Sequence, residues 1–492
     1  MARVIGLDIG TTSTIGILLD TDSGERRVAS RPVTLRSPQP GWAEEDPEEW
    51  WSNAVAILRE FGGVGVSAVG VTGMVPATVL LDRAGRLLRP SIQQSDGRVA
   101  EQVAEIAAET DAARFLARTG NGVNQQLVGT KLRWFEAHEP AVFASIGTVF
   151  GSYDYINFRL SGARRIEQNW ALEGGFVDLA DGRVAADLVA LAHLVPDQLP
   201  PLAASLDIVG AISPEAAAAT GLAAGTPVVA GCADHVASAF VAGIFREGDL
   251  LLKFGGAGDI LLAADRPVPD ARLFLDHHLV PGKFLPNGCM AASGAVLNWI
   301  AATMAAHLPP DTAHAQLDAL ADAVPPGSEG LVLLPYFLGE KTPINDPLAR
   351  GALVGLGLHH TLGHIWRAAL EAVAFGFRHH IDVFDELGLA VRRVVASDGG
   401  ARSAVWMQIA ADVIGRPIEL LHGHPGSCLG AAYLAAVATG GLSDWEQIGR
   451  FVQPAGTVRP DPARTRAYDA AYLKYRALYP ALTPHFHGTD AA

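Results

Sequence analysis

Three short stretches put acids, hydroxyls and glycines where phosphate chemistry needs them. The first is Val4-Ile-Gly-Leu-Asp8-Ile-Gly10-Thr11-Thr12-Ser13. Its glycine turn, from Gly10 to Thr14, can aim N–H and O–H donors at phosphate oxygens. Asp8 closes the preceding apolar run and could help to hold a hydrated Mg²⁺. An ordinary hairpin turn beside a solvated acid explains the same residues equally well. The second is Val228-Val-Ala-Gly-Cys-Ala-Asp234-His235. Here an apolar strand delivers one carboxylate beside small residues, leaving room for a substrate hydroxyl within reach of a general base. Asp234 can also be read as the N-cap of the helix that follows, and on spacing alone the cap is the better reading. The third is Ser397-Asp398-Gly399-Gly400-Ala401-Arg402-Ser403, just before a helical pattern. Bare backbone at such a turn lets a base or a ribose lie close, although an ordinary strand-to-helix turn needs the same residues.

Other phosphate and metal signatures are missing. There is no GxxxxGK[ST], because Gly339-Glu340-Lys341-Thr342 lacks the upstream glycine, and no GxGxxG follows a strand. The histidine pairs His277-His278, His359-His360 and His379-His380 are adjacent in sequence. Neighbours cannot share one helix face, so local hydrogen bonding or surface exposure is expected rather than a metal.

The elements that must position these residues repeat. Apolar runs flank Gly10–Ser13, and they flank Gly255-Gly256-Ala257-Gly258 again about half a chain later. Each reads as a strand, a tight turn and a returning strand, so two domains of similar design are expected. Between and after them come helical patterns: 46–61 with Asp46 as cap and Pro47 in the first turn, 98–119, 361–387, 403–414 and 429–438. Strand patterns fall at 68–82, 222–230 and 394–398. Strands alternating with helices define an α/β architecture. The tail from Thr483 is expected to fray.

Composition agrees with a globular protein of more than one domain. The chain has 492 residues, 49% hydrophobic and 18% charged. A formal charge of -15 gives a nucleic-acid partner no electrostatic footprint. Cys232, Cys289 and Cys428 are far apart and form no metal pattern, so small buried thiols in a reducing compartment are expected. Asp8 interrupts the first apolar run, and Gly221, Gly225 and Pro227 break the uncharged stretch 216–233. Neither a secretory segment nor a membrane span is expected, and a cytoplasmic location is.

Taken in order, the segments resemble the FGGY carbohydrate kinases, from Val4 to about Ala438. Gly6-Leu-Asp-Ile-Gly-Thr-Thr12 is similar to that family's first phosphate loop. Gly41-Trp-Ala-Glu-Glu-Asp-Pro-Glu-Glu-Trp-Trp51 resembles the xylulokinase branch. Arg89-Pro90 with Asp96-Gly97-Arg98 is similar to its substrate-side segment. Leu334-Pro-Tyr-Phe-Leu-Gly-Glu-Lys-Thr-Pro343 with Asp346, Arg350 and Gly351 is similar to a highly specific stretch. Asp398 to Ser403, with Trp406 and Gln408, resembles the adenosine segment.

The resemblance implies two actin-like, ribonuclease-H-like ATPase domains with a cleft between them. It implies an N-terminal, sugar-binding domain over 1–246 and a C-terminal, ATP-binding domain over 247–440. Residues 441–492 would pack on the second domain as helices and a tail. Asp234 falls at the position of the catalytic base and Asp8 at the metal-associated acid. Thr11, Thr12 and Ser13 fall on the first phosphate loop, and Gly255, Gly256 and Ala257 on the second. Gly294, Gly399, Gly400, Ala401 and Ser403 fall on the ATP side. Val75, Pro76, Asp96, Gln126, Asp234 and His235 fall on the sugar side. ATP, Mg²⁺ and a small sugar, foremost a ketopentose such as D-xylulose, are the implied ligands. No nucleic acid or membrane partner is implied, and a homodimer is left open.

Three departures bear on the choice of sugar. Val75-Pro76-Ala77 stands where xylulokinases usually carry Met-His-Gly, Gly256 replaces a threonine, and His235 replaces an Asn or Gln. Ribulose, other ketoses and small polyols therefore stay open, with Gln93, Gln94, Asn124, Gln125 and Gln126 as amides that could read hydroxyls or serve as plain loop residues. From another class, an actin-like nucleotide-dependent interaction protein would share the fold without the sugar chemistry.

Overall fold

Arg3–Ile9 and Ser13–Asp20 pair antiparallel through the turn at Gly10, with Ile9 opposite Thr14. The apolar runs that suggested a hairpin build one, and later strands join it from both sides. The resulting six-stranded sheet runs, edge to edge, Ile208–Ala211, Pro227–Ala233, Val66–Gly73, Arg3–Ile9, Ser13–Asp20 and Arg26–Pro32. Val66–Gly73 lies parallel to Arg3–Ile9, and Pro227–Ala233 lies parallel to Val66–Gly73. The description is that of a computed structural model and covers residues 3–422 and 426–488.

The second hairpin, Asp249–Phe254 with Gly258–Leu262, seeds a sheet of the same design. Its seven strands run Phe274–His277, Phe284–Met290, Gly258–Leu262, Asp249–Phe254, Arg393–Ser397, Ile418–His422 and Gln453–Val458. Again the hairpin's first strand takes parallel partners, Arg393–Ser397 and then Ile418–His422. Parallel strands need crossovers, which the helices supply. Leu362–Glu386 and Ala404–Ile414 bury Trp366, Phe375, Phe377 and Trp406 under the second sheet.

One helix crosses between the halves. Ser427–Ala438 lies in sequence between two strands of the second sheet, Ile418–His422 and Gln453–Val458, but packs on Arg3–Ile9 and Val66–Gly73 of the first. Two glycines let the backbones meet: a Cβ on Gly6 would lie 2.0 Å from the Cys428 carbonyl oxygen, and one on Gly70 would lie 2.2 Å from that of Ala431. Only glycine allows a helix backbone to approach a sheet this closely. On its other side the helix meets Asp234–Val241, where Gly430 faces Ala237. The helix that starts at Asp234 is thus wedged against an element from the other half.

The C-terminal helix Pro462–Phe486 buries Tyr468, Tyr472 and Tyr475 in the second core. Through Gly488 the fraying expected from Thr483 is not found, and residues 489–492 of that tail lie outside the described residues. The helix continues to Phe486, and His487 Nε2 lies 2.8 Å from Asp346 Oδ2. Of the cysteines, Cys232 and Cys428 are buried and Cys289 is half-buried. Among the described residues, no helix is long and apolar enough to cross a membrane.

Candidate active site

The two glycine turns face phosphate chemistry with backbone. In the first, Gly10 N–H donates to Ser13 O at 3.2 Å, and Thr12 O accepts from Val33 N–H. The N–H groups of Thr11 and Thr12 have no backbone acceptor among the described residues. The same holds for Gly255, Gly256 and Ala257 in the second turn. Runs of such N–H groups make anion-binding concavities. Nothing lies within 4 Å of a Cβ built on Gly256, so this turn opens to free space. Gly294 does something different from offering an N–H to a ligand. Its N–H donates to Gly255 O at 2.9 Å, fastening the start of helix Gly294–Met304 to the turn.

Between the turns lie acids from both halves. Asp8 sits at the end of the first hairpin strand, and Ser427 Oγ donates to its Oδ2 at 2.6 Å. Its Oδ1 is buried without a partner, which suits a hydrated cation. Burial, then the charge of Asp234, pushes the Asp8 carboxyl up to about 7, against Ser427 and Lys253. Asp234 is the first residue of its helix and not its cap: Ala233 holds the cap position, and no side-chain cap bond is made. The capping reading of Asp234 is therefore corrected, and its carboxylate, 36% exposed, points into a solvent-accessible site. Burial works to raise its pKa, but His235 and Lys253 more than offset this and hold it below the usual value. A carboxylate kept ionised can accept a proton.

The surroundings of His235 are more highly charged than the sequence reading anticipated. His235 Nε2 bonds Asp276 Oδ2 at 2.9 Å, its Nδ1 lies 3.5 Å from Asp234 Oδ1, and Glu173 Oε1 is 3.9 Å from Nε2. Although burial disfavours the charged ring, Asp276, Asp234 and Glu173 hold the His235 pKa well above its ordinary value. Ligand atoms of Glu173, His235 and Asp276 lie within 4.8 Å of one another, close enough to hold a metal ion. The surrounding acids favour the protonated His235 ring, and burial, then the charge of Asp276, raises the Glu173 carboxyl well above its usual range. Asn287 Nδ2 supplies a further donor to Asp276 Oδ2 at 2.8 Å.

Asp276 belongs to the second sheet, and its strand is stitched to the first half. Asn121 exchanges two hydrogen bonds with Leu275, and Asn169 exchanges two with His277. Lys341 Nζ reaches across to Gln94 Oε1 at 3.0 Å. Lys131 is fully buried, donates to the carbonyls of Gln125 and Gln126, and is pushed down to about 7 by burial.

Several expected contacts are displaced. Asp96 is fully buried, and its oxygens accept from Ala43 N–H and from Arg98 N–H, Nε and Nη2, at 2.6, 2.9, 2.8 and 2.7 Å. All four donors belong to the chain itself, so this carboxylate is engaged within the fold. It anchors Arg98, which stacks on Trp42 and pairs with Glu44. Val75 and Pro76 are buried, in a loop held by Ser152 Oγ on Met74 O and by Trp170 Nε1 on Ala77 O. Gln126 presents its carbonyl to Lys131, and its N–H to Asn124 Oδ1. Gln93 is fully buried.

At the third segment, Asp398 adopts φ 73°, and Gly399–Arg402 form a 3₁₀ turn. Gly400 lies against the ring of Trp406, where a Cβ would come within 2.4 Å. Ser403 caps helix Ala404–Ile414 through Trp406 N–H and donates to Asp318 Oδ2 at 2.6 Å. Its hydroxyl is thereby committed to the fold. Gly399 and half-buried Ala401 remain at the surface of the turn.

Two paired sheets of one topology, with acids and glycine turns between them, define a phosphotransferase of the actin-like, ribonuclease-H-like kind. Comparison agrees: residues 3–241 match the N-terminal domain of the FGGY family of carbohydrate kinases, and residues 256–439 match its C-terminal domain. The chain belongs to the FGGY family and is a carbohydrate kinase, which sets aside the interaction-protein alternative. It is 30% identical to the xylulose kinase of Escherichia coli over 98% of this chain and 99% of that one. It is 29% identical to the Bacillus subtilis xylulose kinase over 97% of each. A crystal structure of a xylulose kinase from Rhodospirillum rubrum superposes with a TM-score of 0.93 at 57% identity, covering 99% of this chain and all of that one.

Sequence reasoning did not single out Lys253, Glu173, Asp276, Lys131 or Ser427. Lys253 did carry a signal, as the one charge inside the apolar run Leu250–Phe254. Glu173 and Asp276 carried none, since distant segments bring them together.

Proposed function

We propose that the chain transfers the γ-phosphate of ATP to a hydroxyl of a small ketose, with D-xylulose the first candidate and ribulose, other ketoses and polyols the competitors. The single observation that supports this best is the meeting of Asp8 and Asp234 between two glycine turns whose N–H groups have no backbone acceptor. In this reading Thr11, Thr12, Ser13, Gly255, Gly256 and Ala257 receive the phosphates, and Gly399, Gly400 and Ala401 flank the nucleoside. Asp8, with its unpartnered buried oxygen, holds a hydrated Mg²⁺, which when bound neutralises phosphate charge.

Asp234 takes the proton of the attacking hydroxyl. A sugar O–P bond forms as the bond from the γ-phosphorus to the bridging oxygen breaks, and that electron pair leaves with ADP. Positioning and charge neutralisation carry most of such a reaction. His235, held by Asp276 and Glu173, keeps Asp234 ionised and lines the sugar side with Val75, Pro76 and Gln126. The proton-rich group Glu173, His235 and Asp276 offers donors and acceptors to several hydroxyls, which agrees with a polyhydroxyl substrate. The cytoplasm is the location proposed with this activity.

An ADP-release screen over pentuloses, hexuloses and alditols tests the reading. D-xylulose is expected to give the highest kcat/KM. Asp234→Asn is expected to lose about two to four orders of magnitude in kcat. Full turnover by that variant sinks the assignment of the base, and preference for an alditol sinks the ketose.

A further inference from the structure

Lys253 is a lysine in the middle of a phosphate site built from acids. It stands in strand Asp249–Phe254, two residues before Gly255, between buried Leu252 and Phe254. Across the hairpin it pairs in register with Asp259, and its Nζ lies 3.2 Å from Asp259 Oδ2. On the other side it is in register with Ser397, the residue before Asp398. The side chain is mostly buried but keeps some contact with solvent. Three carboxylates act on it: Asp259 first, then Asp398, then Asp234 of the other half. They more than offset its burial and keep it charged. Lys253 in turn acts on Asp8.

One ammonium therefore interacts with four acids, two from each half, beside the second glycine turn. Without it, these acids would meet a triphosphate with like charge. A lysine is a compact charge on a flexible four-carbon stem, so Nζ can leave Asp259 for a nearby oxygen without moving its strand. We propose that Lys253 binds the nucleotide's phosphates, donating from Nζ to a non-bridging oxygen beside the second glycine turn. The proposal rests on the ATP-dependent reading above. The alternative is a plain ion pair, with Lys253 serving only to neutralise Asp259.

Calorimetric ADP binding, with and without Mg²⁺, separates the possibilities. Lys253→Met is expected to weaken ADP binding by about ten- to hundredfold, the range for a hydrogen bond to a charged group. The loss is expected to be larger in EDTA, where no cation shares the phosphate charge. Lys253→Arg, which keeps the charge, is expected to retain most of the binding. The double variant Lys253→Met with Asp259→Leu removes the ion pair whole. Continued weak binding supports the phosphate role, and recovery of wild-type binding shows that the lysine served only Asp259. Should Lys253→Met fail to fold, lysine acetylation of the wild-type protein read by mass spectrometry decides the matter: ADP is expected to protect Lys253, and an unchanged rate overturns the proposal. Wild-type protein that binds no ADP refutes the kinase reading itself. Wild-type protein that binds ADP, with Lys253→Met binding equally well, refutes only the lysine's role.

Discussion

Gly6→Ala probes the joint between the halves with one methyl group. That methyl would sit 2.0 Å from Cys428 O and 2.5 Å from Ala432 N. Both are backbone atoms of a helix and cannot rotate away. A carbon–oxygen contact needs about 3.3 Å, so helix Ser427–Ala438 must retreat by more than about 1 Å. Ser427 lies on the first turn of that helix, with its hydroxyl 2.6 Å from Asp8 Oδ2. A retreat of that size carries the bond past the usual limit of about 3.2 Å. Overpacking of this kind costs about 1–3 kcal/mol, and two fixed backbone atoms place it at the upper end. For a chain of this length about 1 kcal/mol corresponds to about 1 °C if unfolding is concerted, so the melting midpoint should fall by about 3 °C. Misplacement by 1 Å near a reacting centre can cost about a hundredfold in rate. Differential scanning calorimetry and the coupled ADP-release assay read the two effects. A variant that melts within about 1 °C of the wild type and turns over at the same rate would refute the close helix-to-sheet contact and its link to Asp8.

Gly256→Ala is the steric counterpart: nothing lies within 4 Å of the added methyl, so stability should stay within about 0.5 kcal/mol by thermal melting. His235→Asn removes the group that does most to lower the Asp234 pKa against burial. The acidic limb of the kcat/KM profile should therefore move to higher pH, and an unmoved limb argues against an imidazolium beside the base. Glu45→Gln tests a buried acid far from the chemistry. Burial pushes this carboxyl up to about 8 from its ordinary 4.5, against a hydrogen bond from Trp50, with Glu49 adding to the rise. A raised carboxyl costs stability as pH climbs from 4.5 through about 8, so the variant should gain on the wild type over that window, by at most about 5 kcal/mol. Equal melting midpoints of the two proteins at pH 5 and pH 9 would count against this.

Much of this molecule was legible in local sequence, and what was legible shares a physical cause. Apolar runs around glycine turns specify hairpins, because strand periodicity and turn geometry act over a few residues. Asp46 capping helix Pro47–Phe61 and Thr361 preceding Leu362–Glu386 were likewise readable. So was the position of Asp234 at the end of a buried strand, although its neighbours also suited a cap. Tertiary structure alone decided what each acid does. Asp96 follows the polar Gln93-Gln94-Ser95 and Asp234 follows an apolar strand, but neither setting says which carboxylate stays open. One is engaged by Arg98 and Ala43, and the other stays open beside a histidine. The charge on His235 depends on Glu173 and Asp276, and that on Asp8 depends on Ser427 and Lys253, all from segments far away in the chain. Electrostatic energy falls with distance through space and takes no account of separation along the backbone. A sequence can therefore name the ionisable groups, but only the folded arrangement sets which of them hold their protons.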